Sequence, residues 1–195
     1  CHDKANPPAT AATAPKGVQP GDVAPAFSLT DTDGKTVDLD SLLKDKKALV
    51  IEWYNPGCPF IVKHHEKFPT FSNLYKNYAD KGVAFVAINS SAPGKEGHGL
   101  ELNQKSKADW KIEYPILLDE TGATGKAYGA VTTPHMFVIT PDKKVVYAGA
   151  IDSDRSPSKA GDINYVAKAL DSVLKGESVE TASTRPYGCG VKYGK

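Results

Sequence analysis

Three side chains of this sequence can act as sulfur nucleophiles: Cys1, Cys58 and Cys189. Cys58 lies in the segment Trp53-Tyr54-Asn55-Pro56-Gly57-Cys58-Pro59, between a mostly apolar, β-branched run and the start of a helical stripe. Pro59 takes the first helical position, where proline is favoured. The N–H groups of a first helical turn lack intrahelical partners, and the helix dipole is positive there. A thiolate is therefore favoured over a thiol, and helix starts bring cysteine pKa values down to about 3.5–7.5. The expectation is a sulfur that is ionised near neutrality, open to solvent and nucleophilic. The competing reading is a buried structural cysteine, which an apolar flank alone would favour.

The elements that must position this sulfur follow from periodicity. Residues 26–30 alternate, Asp31-Thr32-Asp33-Gly34 reads as a turn, and residues 35–39 alternate again, which predicts a hairpin. Asp40 is placed to cap a short turn over Ser41-Leu42-Leu43. Residues 48–54 and 83–89 read as strands covered on both faces. Between them Ile61, His65, Phe68, Phe71, Tyr75 and Tyr78 make one helical stripe, kinked at Pro69 and stopped at Gly82. Strand, helix, strand in this order predicts a parallel pair. Residues 90–113 start polar and glycine-rich and turn helical up to Trp110. Residues 114–118 read as a strand and 121–128 as a short helix. Thr132-Thr133-Pro134 leads into strands at 135–139 and 145–149. Asp162 is placed to cap a last helix with Ile163, Val166, Ala167, Leu170, Val173 and Leu174 on its apolar face, ended by Gly176.

Composition bounds the function. With 24 basic and 23 acidic side chains the formal net charge is +1, without the basic excess of an electrostatic nucleic-acid binder. Hydrophobic residues at 40% and charged residues at 24% are those of an ordinary soluble domain. No apolar run reaches the ~18 residues of a membrane-spanning helix. Residues 1–20 read as a flexible Ala/Pro-rich tether, 21–180 as one domain, and 181–195 as a tail carrying Cys189. Cys1 at the head of the tether resembles the lipid-bearing first residue of a mature bacterial lipoprotein. That implies an extracytoplasmic chain anchored to a membrane through its lipid.

The strand–turn–helix around Cys58, with Thr133-Pro134-His135, resembles the thioredoxin-like redoxin family, which includes the alkyl hydroperoxide reductase and thiol-specific antioxidant proteins. Asn55-Pro56-Gly57-Cys58-Pro59-Phe60, Ala87-Ile88-Asn89-Ser90-Ser91 and Arg185-Pro186-Tyr187-Gly188-Cys189 are similar to one redoxin-domain group within it. The resemblance covers roughly residues 20–193. It implies an α/β thioredoxin-like fold, a mixed central sheet flanked by helices, with an N-terminal β-hairpin extension. It further implies that Thr133-Pro134 is the cis-proline loop packed beside the reactive cysteine. Asn55, Trp53, Pro59, Thr133, Pro134 and His135 would then shape the pocket, His135 either carrying protons or simply packing in its strand.

Two departures bear on activity. The residue three after Cys58 is Ile61, so this member has no Cys-x-x-Cys dithiol. The peroxidase pattern Pro-x-x-x-Thr/Ser-x-x-Cys meets Ile51 and Asn55 here, an amide in place of a hydroxyl. Cys189, flanked by Gly188 and Gly190, is the natural second thiol, able to attack a sulfenic acid or mixed disulfide on Cys58. A structural Cys58–Cys189 disulfide is the rival. Of the two arginines, Arg155 and Arg185, the second is placed to polarise a peroxide or to lie solvated.

The reading is a thiol-based oxidoreductase, peroxiredoxin-like or disulfide-exchanging, with Cys58 as nucleophile and Cys189 as resolving cysteine. Its substrates are a hydroperoxide or a protein disulfide, its electron donor is a protein thiol, and it needs no organic cofactor. The alternatives are an extracytoplasmic copper chaperone and a non-catalytic envelope module. The chaperone would draw on Cys58, Cys189, His64, His65 and His135, but two helical turns, ~10 Å, separate Cys58 from His65. No metal is therefore assigned.

Overall fold

A computed structural model describes residues 17–195. Cys1 and most of the predicted tether lie outside the described residues. Nine strands form among the described residues: β1 (Ser28–Asp31), β2 (Thr36–Asp38), β3 (Ala48–Trp53), β4 (Val83–Asn89), β5 (Ile116–Leu118), β6 (Thr132–Thr133), β7 (Met136–Ile139), β8 (Val145–Gly149) and β9 (Cys189–Gly190). Six α-helices accompany them: α1 (Leu39–Leu43), α2 (Pro59–Val62), α3 (Thr70–Tyr78), α4 (Leu100–Asp109), α5 (Ala123–Tyr128) and α6 (Tyr165–Leu174). Seven strands make one sheet in the order β2-β1-β5-β4-β3-β7-β8, and β6 pairs with β9 in a second, small ladder. β3, β4 and β5 are parallel; β7, β8 and the β1–β2 hairpin are antiparallel to their neighbours. This is the expected mixed sheet, with the hairpin extending one edge.

Every residue of β3 is buried, which explains why it is apolar apart from Glu52. Its side chains alternate between two cores. Val50 and Tyr54 join α2, α3 and α6 on one face, in a layer that contains Cys58. Leu49, Ile51 and Trp53 join α1 and α5 on the other.

Local signals misplaced several boundaries. Asp38, not Asp40, caps α1, in a reciprocal capping box with Ser41. Asn164, not Asp162, caps α6, and Ile163 lies outside that helix, 39% exposed. The helix after Cys58 is broken rather than merely kinked. Four α-helical residues widen into a π-helical turn, Lys63–Lys67, and Phe68 and Pro69 separate it from α3. The wide turn brings Lys63 and His64, neither on the predicted stripe, into complete burial. The tail does not hang free. Ala148 N–H donates to Ala182 O, Val191 N–H to Val131 O and Ala92 N–H to Lys192 O, tying the tail to three parts of the domain.

Candidate active site

Cys58 sits where β3 hands over to α2, on the turn that Asn55 builds. The Asn55 main-chain carbonyl accepts from Cys58 N–H at 3.0 Å and its side-chain Oδ1 accepts from Gly57 N–H at 2.8 Å. Asn55 Nδ2 donates to Glu96 O at 3.1 Å, binding the turn to the following loop. That loop crosses so closely at Gly97, whose φ is +85°, that a Cβ there would stand 2.1 Å from Asn55 Oδ1. Asn89 and Asn103 hold the same loop through Gly97 O. Asn55 is thus a buried brace whose amide is already spent on the backbone.

The Thr133–Pro134 peptide bond is cis. Thr133 O accepts from Cys58 Sγ–H at 3.1 Å. On its other side Thr133 pairs in antiparallel register with Cys189 of β9. Both thiols are free, and both meet Thr133, Cys58 through its sulfur and Cys189 through the strand pairing. Burial, and then the nearby Cys58, push the Cys189 thiol up to about 12, so Cys189 is a protonated thiol at neutral pH.

The expectation of a solvent-facing sulfur stabilised by unpaired amides needs correction. Cys58 is fully buried, 0% exposed, while Cys189 keeps partial access. Tyr187 and Cys189 of the tail pack in the same buried layer as Cys58, the Gly57 and Cys58 amides are paired with Asn55, and α2 is only four residues long before it widens. Pro59 is its first residue, as expected.

The remaining expected site residues divide. Trp53 supports the site from the opposite core: its Nε1–H donates to Ser90 Oγ, and its ring lies 5.2 Å from Tyr128 and 5.5 Å from Phe137. His135 also faces away, its ring 4.6 Å from Phe137 and its Nδ1 accepting from Val131 N–H. Strand alternation decides this, since Met136, not His135, shares the Cys58 layer. Burial lowers the His135 pKa to about 4, so the ring is neutral near pH 7 and packs rather than shuttles protons. Arg185 is exposed, and its carbonyl accepts from Arg155. His64 bonds to Thr70 and Tyr187 and His65 to Glu52, so the imidazoles do not converge on the sulfurs.

Residues 19–164 match the sequence model of the Redoxin family. The chain belongs to the Redoxin family. Among curated redoxin relatives, the thiol-disulfide oxidoreductase ResA of Bacillus subtilis is 30% identical over 131 residues, 67% of each chain. The chain therefore spans about two thirds of that relative's length. Among solved structures, a hypothetical protein from Sinorhizobium meliloti superposes with a TM-score of 0.82 at 31% identity, covering 92% of this chain and 97% of that one. An uncharacterised conserved protein from Geobacillus kaustophilus gives 0.80 at 33% identity, covering 90% and 92%.

Sequence reasoning missed Glu52, two residues before Tyr54. Glu52, buried on the same strand face as Tyr54, accepts from Tyr114 OH at 3.1 Å and pairs with His65 at 2.9 Å. A lone acid in an otherwise apolar strand was the available signal. Thr133 Oγ1 is buried without a hydrogen-bond partner among the described residues. Thr133→Val, which removes this orphan at nearly constant volume, is expected to raise stability by about 1 kcal/mol, read from the urea midpoint.

Proposed function

We propose that this redoxin is a thiol–disulfide oxidoreductase in which Cys58 is the nucleophile and Cys189 the resolving cysteine. The observation that carries this reading is the apposition of two free thiols on either side of Thr133. Cys58 gives up its proton to solvent and, as the thiolate, attacks one sulfur of a substrate disulfide, forming a mixed disulfide and expelling the other sulfur as a thiolate, which takes a proton from solution. Cys189 then gives up its proton and attacks the Cys58 sulfur. A Cys58–Cys189 disulfide forms, the second substrate thiolate leaves, and the substrate has gained two electrons. A donor thiol protein returns the site to the dithiol by the reverse exchange. The tail must lift before Cys58 meets any substrate, because the sulfur is covered while β9 is docked.

A disulfide suits the site better than a peroxide. The Asn55 amide is engaged with the backbone, and Arg185 lies at the surface, so neither presents a donor to a peroxide oxygen. The β6 edge already accepts an extended segment with a cysteine opposite Thr133, the shape of a polypeptide substrate. The relation to a protein named thiol-disulfide oxidoreductase supports the same choice. The extracytoplasmic, lipid-anchored placement expected from Cys1 belongs to this proposal and is checked by metabolic labelling with a fatty-acid analogue.

Mass spectrometry after one equivalent of glutathione disulfide, or of hydrogen peroxide, tests the assignment. In Cys189→Ser the expected product is a glutathione adduct on Cys58; in the wild type it is the Cys58–Cys189 disulfide; Cys58→Ser should lose at least a hundredfold in exchange rate. Faster reaction with peroxide than with the disulfide would replace the substrate. A Cys58–Cys189 bond that resists mild reductant would make the pair a staple.

A further inference from the structure

The π-helical turn after Cys58 carries a buried polar cluster that the chemistry above does not use. Lys63 and His64 are each 0% exposed and Asp152 is 2% exposed. Their groups meet at one phenol, that of Tyr187, two residues before Cys189. Lys63 Nζ lies 3.3 Å from Tyr187 Oη and donates to Asp154 O at 2.7 Å. His64 Nε2 lies 2.9 Å from the same oxygen, and Tyr187 O–H donates to Asp152 Oδ1. A phenol has one proton to give and two lone pairs to fill. Donation to Asp152 and acceptance from Lys63 and His64 saturate it. His64 Nδ1 is in turn satisfied by Thr70 Oγ1 at 3.0 Å, and Asp152 Oδ2 by Gly161 N–H at 2.6 Å.

Burying so many polar groups is costly unless each is paired, and paired they define one geometry. The ring is held as well: Phe60 lies edge-on at 5.8 Å, and Lys63 Nζ stands 5.0 Å from the ring centroid. From this fixed point two residues of chain reach Cys189, a span of at most about 7 Å. Gly188 between them passes so close to Thr133 that no side chain fits. The cluster therefore fixes more than the tail's attachment. It sets where along β6 Cys189 comes to rest.

We propose that Tyr187 is a positioning residue, gripped by Lys63, His64 and Asp152 so that Cys189 docks in register on Thr133 opposite Cys58. The inference rests on the reading of Cys189 as the resolving thiol. It assigns the π-helical turn a purpose, since that turn supplies two of the three gripping side chains from the element that begins at Cys58 itself.

The test follows closure of the ring in the full-length protein. Cys58 is first converted to its glutathione mixed disulfide by a short pulse of glutathione disulfide. Closure then forms the Cys58–Cys189 bond, breaks the Cys58–glutathione bond and releases glutathione thiolate, with no net oxidation. Tyr187→Phe keeps the ring and loses the grip. The expected result is at least a tenfold slower closure, seen as accumulated Cys58–glutathione adduct, with faster hydrogen exchange at the Cys189 and Val191 amides and unchanged exchange in β3 and β4. A role confined to stability would lower the melting temperature and leave closure in the folded protein at the wild-type rate, and that outcome overturns the proposal. Asp152→Asn, which keeps the shape and weakens the acceptor, should slow closure in the same direction by roughly threefold and stands in should the phenylalanine variant not fold. Wild-type protein that never closes the disulfide would instead remove the resolving role of Cys189, and the positioning role with it.

Discussion

Replacing Gly188 with alanine is expected to lift the tail from Cys58 and raise the rate of Cys58 alkylation by tenfold or more. A Cβ at this position would stand 2.0 Å from Thr133 O, and the φ of +137° lies where side chains are rarely tolerated. Neither partner can yield cheaply. Thr133 O belongs to the loop that meets the Cys58 thiol, and Gly188 is bracketed by buried Tyr187 and paired Cys189. Relief comes from the tail leaving β6, which uncovers a sulfur otherwise 0% exposed. The same variant should close the Cys58–Cys189 disulfide at least tenfold more slowly, because the resolving thiol no longer rests beside its target. Iodoacetamide labelling of Cys58, followed by peptide mass spectrometry, reads the first effect. Labelling at the wild-type rate would mean that the tail does not gate the sulfur.

Stability should fall steeply as the pH drops from 6.5 toward 4. Burial lowers the pKa of both His64 and His135 from an ordinary 6.5 to about 4, with Asp152 opposing the shift at His64. Between those limits the unfolded chain binds a proton at each ring and the folded chain does not, so the unfolded state gains with acid. Above pH 6.5 both states are neutral at these rings and the full stability is present; below 4 these two groups cost nothing further. Each lowered pKa costs the folded state on the order of a few kcal/mol at the acid end of this range. Urea unfolding at intervals from pH 7 to 4 measures the slope, and His135→Leu should remove about half of it. A flat profile between pH 6.5 and 5 would mean that the rings are already charged in the folded protein.

Legibility in the sequence tracked distance along the chain. The apolar runs of β3 and β4, the turn at Gly34 and the proline opening α2 each declare themselves within a few residues, and the structure puts them where those local signals place them, while the cis Thr133-Pro134 loop is what the resemblance to the redoxins implies. Caps were harder. Asp38 and Asp40 are both competent, and only the reciprocal bond with Ser41 chooses between them. The orientation of His135 was readable by alternation from Met136, yet a histidine after a cis-proline loop invites a chemical reading that the strand face does not support.

The sequence by itself determined a hairpin, a parallel strand pair and a cysteine at the junction of a buried strand and a helix, because propensity and pattern act over neighbouring residues. Tertiary structure decided that Cys58 is covered, that Cys189 covers it in register with Thr133, and that Lys63 and His64 turn inward to grip Tyr187. Those outcomes depend on groups far apart in the chain meeting in a medium where each buried polar atom needs a partner. No periodicity records which partner that will be.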